Sequence, residues 1–561
     1  MEAPDLERRI WARPLFLSAV VTLVNALKPL VIDDTAYVAF ARQIAGHPFD
    51  PYGFTIFWDV RPEPGFGVLA PPLLLYWLAL GIRVVGEHPA LLKLSLFPFL
   101  WALTAALGDL LRRFAGSARL LPLIVLSPAV LSTVNLMIDV PALALGLAAL
   151  AIFARAADRG SWVLASTAGF VAALACQTKY TMLVIPPVIA WYGVTHRRRG
   201  LAASAVAVAG AAFASWELFI GARYGRSHLL FHLEQYHRFL ATRERSLVQL
   251  IVERAQLFSP LASHLGCLGV GVGLVAAGAL GVSRSWLRGA AAIWAVGFTR
   301  IALVPHAWTG TAPAHDGAVG VFWWSFGFST LVALGGCAAT VVVRRREQGS
   351  PDGAFLVGWL LLELGAYFVL TPFPAARRVI GLVVVGGLLA AHVVGRVGRV
   401  VPARRPAAWI IPFAFAAGLA VTLVDTMDVF AEKESVERAA TLASAQPVGS
   451  TVWCLGKWAV HYYCEKAGMR PVVAGRSMIA AGDLLVLPTR WDGRGFGPDT
   501  LGLSIQPDLS VAEQIGASVW NEPLSGRTVT NFYGGSEPVI MRDHPRLGVA
   551  VYRIKEARMV R

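Results

Sequence analysis

The sequence predicts an all-α polytopic membrane bundle of about 13 transmembrane helices over residues 1–424, followed by a C-terminal soluble α/β domain over residues 425–561. Three observations predict it. The chain is 56% hydrophobic and only 15% charged, with a mean hydropathy of +0.58, whereas soluble domains are near half apolar and about a quarter charged. Apolar windows of the ~20 residues that a spanning helix needs recur as far as residue 424. Beyond it charges return, and turns such as Trp491-Asp492-Gly493 and Tyr533-Gly534-Gly535 separate short β-rich runs. A soluble enzyme is thereby excluded as a description of the whole chain. The excess of 50 Lys+Arg over 35 Asp+Glu, a net +15, falls in short clusters between apolar runs. That is a topology pattern, not a nucleic-acid footprint.

The windows fall at roughly 12–32, 90–111, 119–137, 140–157, 161–178, 180–195, 201–222, 258–282, 287–305, 319–343, 354–371, 376–395 and 407–424. Placing Arg8/Arg9, Arg112/Arg113, Arg155/Arg159, Arg197 to Arg199, Arg284/Arg288, Arg344 to Arg346 and Arg396 to Arg405 on the cytoplasmic side satisfies the positive-inside rule with these windows crossing. A further apolar stretch, 66–86, would break that alternation, so it is expected to be amphipathic or re-entrant, in keeping with Pro71, Pro72 and Arg83. The first outer loop then runs over 33–89. No small-residue cleavage site precedes Asp33, so the first window reads as a retained signal anchor, with the N-terminus cytoplasmic. The expected location is the plasma (inner) membrane, with the C-terminal domain extracytoplasmic.

In that last domain, Thr451 to Leu455, Asp483 to Pro488 and Gly548 to Ile554 read as strands, and Phe430 to Ala445 and Lys457 to Ala467 as helices. Cys176, Cys267 and Cys337 lie in apolar runs, which leaves Cys454 and Cys464 as the only candidate pair; the pairing stays open, because Cα separation decides it. Trp453, Trp458, Tyr462 and Tyr463 could stack on a sugar ring or form core.

The same alternation brings the polar residues to one face. Asp33 and Asp34 follow the first window, and two adjacent carboxylates repel, so at least one should hold a proton more tightly. Asp34 could equally cap a helix from Thr35 to Ala45, and Asp139 one with Pro141 in its first turn. Glu234, His237 and Arg238 share a face of an outer-loop helix at i, i+3 and i+4. His232 and His237, five apart, do not share a face well enough to ligate a metal, so no metal site is expected. Lys179, Arg377 and Arg378 lie at the same level; each alone could snorkel to head groups, but together with the acids they would activate a nucleophile beside an anionic leaving group.

With these residues the chain resembles the C-type (GT-C fold) glycosyltransferases, in the branch of the protein O-mannosyltransferases and the lipid A aminoarabinose transferase. The resemblance spans roughly residues 10–395 and is carried by Asp33-Asp34-Thr35-Ala36-Tyr37, Pro71-Pro72-Leu73, Leu126-Ser127-Pro128 through Asp139, Thr178-Lys179-Tyr180 and the Arg377/Arg378 pair. It implies transfer of a sugar, with inversion, from a polyprenyl-phosphate donor to a lipid, glycan or protein hydroxyl at the outer face. Asp33 corresponds to the catalytic carboxylate, with Asp34 and Asp139 as neighbouring acids. Lys179, Arg238, Arg377 and Arg378 are candidates for the donor phosphate, and Glu234 and His237 for the outer loop and acceptor. No cofactor is required, though Asp139 could hold a divalent cation. The implied partners are the lipid-linked sugar, its acceptor and membrane lipids, with no nucleic acid. Ala70 before Pro71, and Gln235, depart from relatives that carry ligating side chains there. The rival classes are a lipid-linked saccharide flippase, with Glu217 and Glu363 inside spans as its ionisable candidates, and a surface-polysaccharide polymerase or ligase.

Overall fold

The computed structural model describes residues 14–58, 61–241, 246–303, 312–344, 351–396, 408–446, 449–491, 496–498, 512–519, 528–530, 535–541 and 548–559. Among them, seven helices are long and apolar enough to cross a membrane: Pro89–Ala115, Asp139–Arg159, Arg199–Tyr224, Gly317–Val343, Pro351–Leu370, Ala376–Gly395 and Ile410–Ser444. Val248–Leu268 and Val270–Ala279, bent by 86°, make an eighth if they form one span. Four shorter apolar helices, Pro14–Ala26, Pro72–Val85, Trp162–Thr178 and Tyr180–Thr195, complete the set. The chain is a multi-pass helical protein, but helix length does not reproduce the expected count of about 13.

Proline accounts for part of the difference. The window 119–137 is not one helix but two short ones, Leu121–Val125 and Pro128–Leu131, each with a proline in its first turn, followed by irregular chain. Residues 120–138 are buried throughout; broken backbone is tolerated there because protein, not lipid, surrounds it. The stretch 66–86 holds the 14-residue helix Pro72–Val85, about 21 Å long at 1.5 Å per residue and so short of a ~30 Å bilayer core. It packs along the helix Asp33–Gly46. Elsewhere glycine permits backbone contact: a Cβ on Gly266 would meet the Trp323 carbonyl oxygen at 1.9 Å, and one on Gly327 that of Ala262 at 1.6 Å. Small residues at such a crossing let two helices close without side chains between them.

Asp139–Arg159 and Ala376–Gly395 are the most enclosed long helices, with 78% of the apolar window of each buried. Their N-terminal ends carry Asp139 and Arg377/Arg378, so the candidate residues stand on the rigid centre of the bundle. The opposite end gathers basic clusters expected to share a side. Arg113 donates two 2.6 Å hydrogen bonds to Asp158, Arg155 pairs with Asp109 at 3.1 Å, His196 with Asp352 at 2.9 Å, and Arg396 donates to the Arg113 carbonyl at 3.1 Å.

The boundary expected at 424/425 falls inside one 35-residue helix, Ile410–Ser444. Asp425, which marks the return of charge in the sequence, is fully buried and pairs with Lys28 at 2.6 Å. Charge therefore returns there without a break in the helix. Beyond it lies a six-stranded mixed sheet in the order Arg470–Pro471, Val452–Cys454, Leu484–Trp491, Gly548–Ile554, Ala512–Val519, with Phe496–Pro498 paired to Leu484–Trp491. The helix Trp458–Lys466 packs against Ile410–Ser444 and Asp33–Gly46, which ties the C-terminal segment to the bundle. Asp483 ties together the starts of the neighbouring strands Val452–Cys454 and Leu484–Trp491, accepting from the Thr451 amide (3.0 Å), the Trp453 indole (2.9 Å) and the Ala480 amide (2.9 Å). Trp453 is thus part of the sheet framework. Cys454 and Cys464 are both buried free thiols.

Candidate active site

The first short helix ends at Ala26, and the chain turns through Ile32 before the helix Asp33–Gly46 begins. Ile32 sits at φ +42°, a left-handed conformation that a β-branched residue adopts only under strain of order 1–3 kcal/mol. The Asp34 amide bonds the Val31 carbonyl at 2.9 Å, and the Thr35 hydroxyl bonds that of Ile32 at 2.7 Å, which fixes the turn. The turn sends the two acids in different directions.

Asp33 meets Arg377, whose Nη1 lies 2.9 Å from Asp33 Oδ2 and 3.9 Å from Asp139 Oδ2; the other Asp139 oxygen takes Lys179 Nζ at 2.5 Å. Four residues from distant parts of the sequence form one chain, Asp33–Arg377–Asp139–Lys179. Three of the four, Asp139, Lys179 and Arg377, line a cavity of about 90 Å³ together with Arg378 and Glu363, and Leu143, Leu147, Ile185 and Trp359 add apolar wall; Asp33 is joined to it through Arg377. Arg378 spreads over the Phe373 ring, 4.7 Å from its centroid. Cations at the mouth of an apolar trough suit an anionic head on a hydrocarbon tail.

Asp34 points elsewhere. It is fully buried, its Oδ2 accepts from the Val31 amide at 3.4 Å, and its Oδ1 has no hydrogen-bond partner among the described residues. Burial pushes its pKa up to about 7, with the Lys93 charge opposing and the Asp33 charge only a lesser contributor. One of the two acids does hold its proton more tightly, as expected, but burial contributes more to this than repulsion from Asp33. Beneath it, Lys93 Nζ donates to the carbonyls of Lys28 (2.6 Å) and Pro29 (3.1 Å), and Lys28 reaches Asp425 and the Ser132 carbonyl (3.0 Å). Neither acid acts as the helix cap that the sequence allowed. The helices start at Asp33 and Asp139, and their N-cap residues, Ile32 and Ile138, make no side-chain cap bond.

The outer-loop residues do not join the cluster. Arg238 and Glu234 are exposed and bond each other at 2.5 Å along the helix His228–Ala241, and neither lines the cavity. The side chain of His237 lies outside the described residues. What the sequence reading missed is His228, fully buried at the start of that helix and stacked on Tyr52 at 4.6 Å. Its Nδ1 contacts the Tyr180 hydroxyl at 2.7 Å and its Nε2 lies 3.1 Å from His232. Burial first and the neighbouring His232 second lower the His228 pKa to about 3, so the ring is neutral. Arg254 was missed too; it donates at 2.6 Å to both the Thr371 carbonyl, on the cavity wall, and the Tyr236 hydroxyl. Its signal was only a lone arginine on an amphipathic helix.

The flippase candidates are satisfied locally. Glu217 accepts from Ser227 (2.6 Å), the Leu229 amide (3.1 Å) and Tyr180 (3.3 Å), and Glu363 from the Trp359 indole at 3.2 Å. Among the described residues no group of three or more His, Cys, Asp or Glu stands ready for a metal ion. Asp139, the one acid offered for a divalent cation, already faces Lys179 and Arg377.

No family model matches the sequence. No curated protein matches it either. Among solved structures, the chain is similar to the Archaeoglobus fulgidus oligosaccharyltransferase in complex with Zn and sulfate, at 13% identity and a TM-score of 0.45 over 82% of this chain and 62% of that one. It thus spans less than two thirds of that protein's length. It is similar as well to ArnT from Cupriavidus metallidurans bound to undecaprenyl phosphate, at 15% identity and a TM-score of 0.40 over 95% of this chain and 96% of that one. Both neighbours are glycosyltransferases of GT-C fold. At this distance the chemistry of the chain rests on its own residues.

Proposed function

We propose that the chain is a membrane glycosyltransferase that moves a sugar from a polyprenyl-phosphate donor to an acceptor hydroxyl, with inversion. The observation that carries this reading is the Asp33–Arg377–Asp139–Lys179 chain, three of whose members line a largely apolar cavity while Asp33 pairs with Arg377 beside it. A carboxylate and clustered cations are the two parts that this displacement needs. Asp33 accepts the proton of the acceptor hydroxyl while its oxygen attacks the anomeric carbon from the face opposite the phosphate. The bond from that carbon to the phosphate oxygen breaks, and the electron pair leaves with the polyprenyl phosphate. Lys179, Arg377 and Arg378 compensate the charge that builds on the leaving group. Asp139 holds Lys179 and Arg377 in place between turnovers.

Asp34 serves the turn and not the reacting atoms, and Arg238 plays no part at the phosphate. No metal ion is assigned a step, since fixed cations already stand where the phosphate charge develops. The site opens on the outer face of the inner membrane, with the N-terminus cytoplasmic and the C-terminal segment outside; the alternation of basic clusters supports this orientation. Transfer of radiolabel from a panel of polyprenyl-phosphate sugars into membrane acceptors by the purified protein tests the reading. Label transferred from one donor supports it and names the sugar; no transfer from any donor, with the lipid still bound, favours a flippase.

A further inference from the structure

The geometry points to a second site, a saccharide-binding cavity between the helix Asp33–Gly46 and the C-terminal helix Trp458–Lys466, which takes a neutral glycan acceptor. The cavity holds about 410 Å³, within the range of small-molecule sites, about 300–1,000 Å³. Its walls come from two parts of the chain that no motif connects. Trp58 of the first loop faces Trp458 with ring centroids 6.1 Å apart, and Phe57 stacks on His461 at 4.6 Å. The lining also carries polar side chains, among them Gln43, whose amide nitrogen donates to the Asp50 carbonyl at 3.0 Å and leaves its oxygen, and Glu465, 4.0 Å from Arg42.

That mixture selects its ligand by chemistry. A sugar ring offers an apolar C–H face to an aromatic ring and hydroxyls to planar amides and carboxylates around it. A phosphate would find the one arginine of the lining, Arg42, already committed to Glu87 through two hydrogen bonds. The apolar tail of a lipid would find both walls interrupted by polar groups.

Two independent observations mark the cavity as more than a seam. Trp458 sits at φ +51°, a left-handed conformation that costs a non-glycine residue stability and that structures retain at functional positions. It is one of three such non-glycine residues among those described; another is Ile32, next to Asp33. Thr35 and Ala36 line the cavity as well, and they lie within one helical turn of Asp33, about 5 Å along the axis. A glycan seated here lies beside the first turn of the helix that Asp33 begins.

The assignment of the bound glycan as acceptor rests on the transferase reading; the existence of the site does not. The test uses the full-length protein in lipid nanodiscs against an array of defined mono- to tetrasaccharides with peptides printed alongside, comparing the wild type with Trp458→Ala, Trp58→Ala and Asp33→Asn. The expected result is retention of a saccharide by the wild type and by Asp33→Asn, with affinity falling about tenfold or more in each tryptophan variant. Trp58 lies in the loop, so its variant keeps the test decisive if Trp458→Ala misfolds. Retention of no saccharide, retention of peptides in their place, or unchanged affinity in folded tryptophan variants overturns the proposal. Saccharide binding that depends on the tryptophans, in a protein that transfers from no donor, leaves the site standing and removes the transferase reading.

Discussion

The Tyr463 hydroxyl donates to the Leu30 carbonyl at 2.9 Å, a buried bond between residues 433 apart in sequence. Leu30 opens the turn that strains Ile32 and aims Asp33, so the C-terminal segment grips the backbone of that turn. Glu87 adds a second clamp from the first loop, pairing with Arg42 and with Lys466 at 2.9 Å. Burial raises its pKa, but the hydrogen bonds from Arg42 and Lys466 outweigh it and lower the carboxyl to about 2. Tyr463→Phe leaves the carbonyl buried without that donor, which costs about 1–3 kcal/mol. Its transfer rate should fall about tenfold or more through misplacement of Asp33, with donor KM unchanged. Thermal unfolding and steady-state kinetics of the variant check both parts.

Asp34 sets a pH dependence of stability. Its folded pKa, about 7, lies above the unfolded value of 3.8, so the folded state binds more protons between the two. Its contribution is therefore full below the unfolded value and lost as pH rises toward 7. Asp34→Asn, which mimics the neutral form, should remove that component and unfold at a higher temperature than the wild type near pH 8. Melting curves across about pH 5 to 8 decide it, and transfer by this variant should stay within about threefold of wild type.

The cations divide into those that face the trough and one that does not. On the proposed function Arg377→Met and Lys179→Met each remove a charge facing the leaving phosphate and should lower kcat/KM by about 10²–10³. Arg238→Ala, which loses only an exposed pair with Glu234, should remain within about twofold. Equal losses in all three would contradict the assignment.

Because Lys179, Arg377 and Arg378 supply the charge at the trough, transfer should persist when the purified protein is stripped with a chelator. Activity measured before and after chelation, with magnesium and manganese added back, checks this. Loss on chelation restored by one ion would mean that Asp139 is a metal ligand.

Asp33, Asp139, Lys179 and the Arg377/Arg378 pair were legible in the sequence because charge beside an apolar window is conspicuous and the alternation of spans brings those ends together. Arg238 is equally conspicuous but stands apart from that cluster, since helical spacing fixes which side chains share a face but not which way that face turns. The window 119–137 read as a span because hydropathy measures burial without regard to its source, and here protein supplies it. The return of charge at 425 carries no break in the helix for a related reason: Asp425 signals solvent only if no Lys28 waits to meet it. Trp458 and Tyr462 are readable as residues that could stack on a sugar ring, but their cavity is not, because its other wall comes from a segment some 400 residues away and only docking of the C-terminal helix makes them neighbours.

The most direct test of the account is transfer of radiolabelled sugar by Asp33→Asn beside the wild type, in protein shown by its melting curve and lipid binding to be inserted and folded. The account predicts a loss of about 10²–10⁴-fold in the rate of transfer with donor binding retained through Arg377 and Lys179. Full activity in the folded variant would contradict it, and would leave the Asp33–Arg377 pair as a structural tie between the first turn and the core of the bundle.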